Sequence, residues 1–265
     1  MGRVIQMKSR RLILQLAIIV IVIVCLAQTA HAAPMKLELD VGNPENSKEA
    51  ASTVRVLLLL TVLSVAPSIL IMMTSFTRII IVLSFLRNAL GTQQIPPNQV
   101  LIGLALFLTL FIMSPVLGKI NDEAYKPLAD EKITQQEAID RSSAIIKNFM
   151  LKELYKNGNK EEKDLVLFIK LAKIEKPEKP QDLPLTVVIP AFMIHELTVA
   201  FRMGFLIFIP FLVVDMIVSS TLMSMGMMML PPVMISLPFK IMLFMLAGGW
   251  NLTIESLIKS FAGYG

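Results

Sequence analysis

Cysteine is almost missing from this chain of 265 residues: Cys25 is the one present. It lies in an N-terminal segment expected to be removed, so disulfides, thiol catalysis and cysteine-ligated zinc are excluded from the mature protein. Histidine is nearly as scarce, with His31 in the same segment and His195 far from it. One histidine cannot furnish a His/carboxylate metal centre and makes a Ser-His-Asp triad a poor reading. His195-Glu196-Leu197-Thr198-Val199 begins like a zinc-protease helix, but Val199 stands where the second histidine is needed. Gly118-Lys119-Ile120 lacks the upstream glycine and the Ser/Thr of a phosphate loop. No cofactor, metal or catalytic residue is expected, and the chain is read as non-enzymatic.

Charge is sparse as well, at 17% of residues, against about 25% in soluble domains. The 55% hydrophobic content points instead to membrane. The net charge of +5 does not mark a nucleic-acid binder, because Arg3, Lys8, Arg10 and Arg11 supply four of the excess charges within residues 1–32. The rest of the chain is nearly neutral.

Residues 1–32 read as a secretory signal: a basic start, an apolar run from Leu12 to Ala27, then Ala30-His31-Ala32, whose small residues suit cleavage between Ala32 and Ala33. The alternative is an uncleaved anchor, for which the run is short of the roughly 20 residues that span a bilayer. Residues 33–53 form an exposed lead-in, and 54–117 a first helical hairpin broken or kinked at Pro67 and turned at residues 91–98. Residues 118–184 hold thirteen bases and thirteen acids and form a small all-helical insert. Its Thr134-Gln135-Gln136-Glu137 has capping-box spacing, and a second short helix starts near Asn159. Residues 185–265 form a second hairpin of helices over about 187–225 and 233–259. The expected fold is an all-α membrane protein of long kinked hairpins, four apolar segments and an extracytoplasmic insert.

Ionisable groups inside apolar helices are costly and usually face a partner or a protein interior. The candidates are Arg78, Glu196, Arg202, Asp215 and Lys240. Asp215 and Lys240 stand at similar distances from one tight turn at about 226–232, so an antiparallel hairpin brings them to similar depth. Their pairing either fixes hairpin register or serves a proton or ion relay. Glu196 and Arg202 are too far apart around one helix to pair, so each needs a partner on another helix or subunit. Six methionines crowd residues 223–234, and Met227, Met228 and Met229 run into Pro231 and Pro232. Methionine re-packs around changing partners, and non-helical backbone at membrane depth belongs where it is buried in protein or lines a passage. A methionine loop there can seal against small solutes yet deform around a moving chain.

The stretch Pro67-Ser68-Ile69-Leu70-Ile71-Met72-Met73-Thr74-Ser75-Phe76-Thr77-Arg78-Ile79, then Ala89-Leu90-Gly91 to Pro96-Pro97-Asn98, closely resembles the FliP family of flagellar type III export proteins. So does Gly204-Phe205-Leu206-Ile207-Phe208-Ile209-Pro210-Phe211 through the methionines to Leu237-Pro238-Phe239-Lys240. The secretion-system proteins called SctR are relatives of that family. The resemblance implies a multi-pass inner-membrane component of the flagellar basal body, five copies of which assemble with FliQ and FliR into an export gate beside FlhA and FlhB. Unfolded flagellar subunits would cross through it. It places a pore gasket at Met227, Met228 and Met229 and the intramembrane acid and base at Asp215 and Lys240. His195 departs from the family pattern, where serine is expected. A proton-coupled transporter using Asp215 and Glu196, and the equivalent subunit of a virulence secretion system, are the alternatives.

Overall fold

A computed structural model describes residues 47–92, 94–155, 163–175, 177, 179–227, 231–261 and 263. The expected signal with Ala32 and Ala33, most of the lead-in, Met228, Met229 and the turn around Asn159 lie outside the described residues. The chain divides into two compact units, Met1–Val62 and Leu63–Gly265. Every described element is helical, and no strand occurs among the described residues.

Helix α1, Ser47–Met72, runs through Pro67 without interruption. The break expected at Pro67 falls instead at residues 73–75. A proline removes one donor from the ladder, which a helix can survive when its other turns hold. At Thr74 the ladder itself is capped: its Oγ1 donates to Ile71 O at 2.8 Å while its N–H bonds the same carbonyl at 3.2 Å. Helix α2, Phe76–Leu90, then buries Ile79, Val82, Leu83, Leu86, Ala89 and Leu90, a stripe at helical spacing, and ends at Gly91 with φ +76°.

Helix α3 spans Asn98–Ile120 and continues through a π-helical turn, Asn121–Tyr125, into one more α turn, Lys126–Ala129. Its buried side is narrow, chiefly Leu101, Ala105, Ile112 and Met113. In the insert, α4 covers Gln135–Leu154 and α5 covers Lys163–Leu171. Thr134 caps α4, its hydroxyl accepting from the N–H of Glu137 at 3.2 Å. Helix α6, Leu185–Ser224, has 40 residues, a length of about 60 Å, or twice a hydrocarbon core of roughly 30 Å. It ends in a Schellman turn: Met227 N–H reaches Leu222 O and Gly226 N–H reaches Met223 O, each at 3.0 Å, with Gly226 at φ +75°. Helix α7, Pro232–Leu246, and helix α8, Gly249–Lys259, meet at a 64° bend. The single helix expected over 233–259 is thus two, because Gly248 takes the left-handed conformation, φ +61°.

Among the described residues two helices, Asn98–Ala129 and Leu185–Ser224, are long and apolar enough to cross a membrane, and a third crossing follows if the bent α7–α8 pair acts as one. Of the four expected apolar segments, the first is divided between α1 and the 15-residue α2, and α2 is too short to cross alone.

Helix α2 lies along α6, and the core follows this contact. Gly204 of α6 permits the closest approach, since a Cβ there would stand 2.5 Å from the Phe85 ring. The insert is not a free module. Phe149, Met150 and Leu154 of α4 and Leu165 and Ile169 of α5 share one buried cluster with Val188, Ala191 and Phe192 of α6. The partners the insert needs for burial are therefore in its own chain.

Candidate functional site

Two ion clusters and the methionine turn sit on or beside α6. The first is built around Arg78, which α2 carries into the interior at 1% exposure. Its Nε donates to Glu196 Oε2 at 2.8 Å, and one terminal nitrogen donates both to Glu196 Oε1 and, at 3.2 Å, to Glu153 Oε2. The other terminal nitrogen donates to Ser260 O at 2.8 Å and to Ser260 Oγ at 2.9 Å. All five guanidinium N–H groups are thereby used. The ring of Phe261 lies 3.9 Å from the guanidinium carbon, a cation–π contact on the remaining face. One side chain thus joins α2, α4, α6 and the segment after α8.

Glu153, from the insert, is a member that sequence reasoning missed. The signal was present: Glu153 falls at helical spacing with Phe149, Met150 and Leu154, an acid on the apolar face of α4. Next to Glu196, His195 is 7% exposed, with Nδ1 3.9 Å from Asp164 Oδ2 on α5. Among the described residues no group of three or more histidines and carboxylates could hold a metal ion.

Arg202 was expected among the buried ionisable groups; the structure leaves it exposed. Glu196, Ala200 and Gly204 form the α6 stripe that is buried. A position six residues beyond Glu196 lies about 240° around the helix from it, which turns Arg202 away from that stripe.

The second cluster joins the legs of the second hairpin. Lys240 Nζ on α7 donates to Asp215 Oδ2 on α6 at 2.6 Å, and Ser236 Oγ donates to Asp215 Oδ1 at 2.6 Å. Ser236 and Lys240 are one helical turn apart and so share a face of α7. Lys240 is 3% exposed, whereas the Asp215 side chain retains 28% exposure. The lysine head also lies near the end of α2, 3.8 Å from the position a Cβ would take on Gly91. A helix C-terminus is the negative end of its dipole, so the ammonium is held by two sources of negative potential.

Beyond this pair the hairpin opens. Met227 is 40% exposed, and Met223, Met225 and Met234 are 63%, 68% and 68% exposed. These methionines do not fill a core of this chain. They form a flexible, apolar tip around the Gly226 turn.

The chain matches the FliP family model over residues 59–257. It is 60% identical over 220 residues to the flagellar biosynthetic protein FliP of Bacillus subtilis (strain 168), an alignment covering 83% of this chain and 96% of that protein. The corresponding protein of Aquifex aeolicus (strain VF5) is 51% identical over 230 residues, covering 86% of this chain and 91% of the relative. That of Pectobacterium carotovorum subsp. carotovorum is 51% identical over 218 residues, covering 82% of each. With Arg78, Glu153, Glu196, Asp215 and Lys240 all inside the matched span of residues 59–257, the chain belongs to the FliP family.

Proposed function

We propose that this chain is a non-enzymatic, pore-forming subunit of the flagellar type III export gate, passing unfolded flagellar subunits across the inner membrane. The observation that carries the reading is the hairpin α6–α7: its legs are tied by Lys240 and Asp215, and its tip presents exposed methionines at a helix break. A fixed frame with a deformable apolar tip suits a passage that must close on small solutes and widen for a chain. In this reading Met227, Met228 and Met229 form the seal, five copies surround the passage, and FliQ and FliR complete the gate beside FlhA and FlhB. The signal over residues 1–32 is removed, and the insert faces the extracytoplasmic side. The carrier alternative gains no support from Glu196, whose two carboxylate oxygens both accept from Arg78.

Replacing Met227, Met228 and Met229 together with alanine tests the seal. The triple variant is expected to assemble to near the wild-type level while leaking ions or small solutes across the membrane. Unchanged permeability in a background where the channel is otherwise open would overturn it.

A further inference from the structure

A cavity of about 480 Å³ lies between the end of α3 and α4, and its chemistry has two halves. Val116 and Phe149 give it an apolar floor, while Lys119, Lys152, Asn148 and Glu123 bring polar groups to it. Lys119, Lys152 and Asn148 are exposed residues. Neither lysine has a salt-bridge partner among the described residues, whereas Lys126 and Lys132 are each paired with a neighbouring acid at 2.7 and 2.9 Å. Two ammonium groups against one carboxylate leave the lining with a formal charge of +1.

The position along α3 says what a ligand would be made of. Between Asn98 and Lys119 the helix carries no charged residue. The apolar run from Val100 to Leu117 is about 27 Å long, close to a hydrocarbon core of roughly 30 Å. If α3 crosses the membrane, Lys119 stands level with the headgroups and the apolar floor lies just inside them. A ligand matching this gradient has one negative charge at the lysines and an apolar body continuing along α3.

We propose that this cavity binds the headgroup of a monoanionic glycerophospholipid, its phosphodiester held by Lys119 and Lys152 and its glycerol backbone resting on Val116 and Phe149. A single phosphodiester charge neutralises the lining; a zwitterionic choline headgroup does not, and its bulky cation has no acceptor except Glu123. The site rests on α3 crossing a bilayer and is independent of the pore.

The test is native mass spectrometry of the full-length protein in detergent, titrated with phosphatidylglycerol or phosphatidylcholine. Wild type is expected to retain phosphatidylglycerol in preference. With Lys119→Gln and Lys152→Gln combined, phosphatidylglycerol binding should weaken by at least about tenfold, since each lysine contributes on the order of 1 kcal/mol to anionic-lipid attraction. Lys163→Gln with Lys170→Gln, the same charge change on exposed residues of α5, should leave binding unchanged. Should the double variant misfold by circular dichroism, Glu123→Gln supplies the opposite perturbation and should tighten binding. Equal retention of the two lipids, no response to either the lysine or the Glu123 change, or equal competition by free glycerol phosphate would each overturn the lipid assignment.

Discussion

Two ion clusters lie on α6, and the chain finishes them to different degrees. Around Glu196 the guanidinium of Arg78 spends all its donors within the protein, and Arg78, Glu153 and Glu196 are each exposed by 1% or less. Nineteen residues further along, about 28 Å by helical rise, Asp215 retains 28% exposure beside a buried Lys240. Beyond it the methionine tip is open. At the Arg78 junction, four segments close on each other without outside help. At the hairpin, apolar and polar surface is left for something else to cover, which is the arrangement expected of a subunit whose rigid part positions an adaptable one.

The largest effect should come from breaking the closed junction. Arg78→Met leaves the buried Glu196 without the guanidinium that serves both its oxygens and takes one partner from Glu153, and losing one side of a buried ion pair costs about 3–5 kcal/mol. The variant is expected to lose most folded protein, read as recovery of monodisperse material after detergent extraction. Glu196→Gln should cost less, and Glu153→Gln least of the three, because Glu153 holds Arg78 through one contact at 3.2 Å while Glu196 holds it through two. A Glu153→Gln defect as large as that of Arg78→Met would show that the insert, rather than the α2–α6 contact, secures the junction.

The hairpin pair should respond less and unequally. Asp215→Asn leaves an ammonium that is 3% exposed without its carboxylate, and about 2–3 kcal/mol is expected. Lys240→Met leaves a carboxylate that still meets Ser236 and solvent, so about 1–2 kcal/mol is expected after allowance for screening. Thermal unfolding in detergent would read the order, and swimming motility its consequence. The exchanged variant, Asp215→Lys with Lys240→Asp, should regain part of the function of the single variants. Full recovery is not expected, because the exchange places a carboxylate at the negative end of α2 beside Gly91. Equal defects in the singles and the exchange would argue that pairing is not what these residues contribute.

What the sequence showed of these two regions follows from how local their contacts are. Asp215 and Lys240 are 25 residues apart with one tight turn between them, so helical rise alone placed them at one depth. Arg78 and Glu196 are 118 residues apart, and no local pattern says which of several intramembrane acids a given arginine will meet. The capping box at Thr134 was legible because its chemistry spans three residues. The bend at Gly248 was not, because a glycine amid apolar residues reads equally well as part of a helix until its φ is known. Pro67 attracted the break about two turns too early for the converse reason: proline announces itself in sequence, while the Thr74 hydroxyl at the end of α1 does not.

The smallest effect on the isolated chain is expected at Arg202, and it bears most directly on the difference between closed and open surface. Arg202 shares α6 with Glu196 but is exposed, and its neutralisation to glutamine should change unfolding by no more than about 0.5 kcal/mol, as for most surface substitutions. An arginine on a helix of membrane-crossing length is nevertheless expensive to leave against lipid. If a neighbouring subunit supplies its partner, Arg202→Gln should lower the yield of the assembled complex on size-exclusion chromatography while the monomer's unfolding stays unchanged. A loss of monomer stability instead would mean that Arg202 already belongs to the closed part of the molecule. An unchanged yield would remove it from the subunit contacts and leave the hairpin as the region that other chains complete.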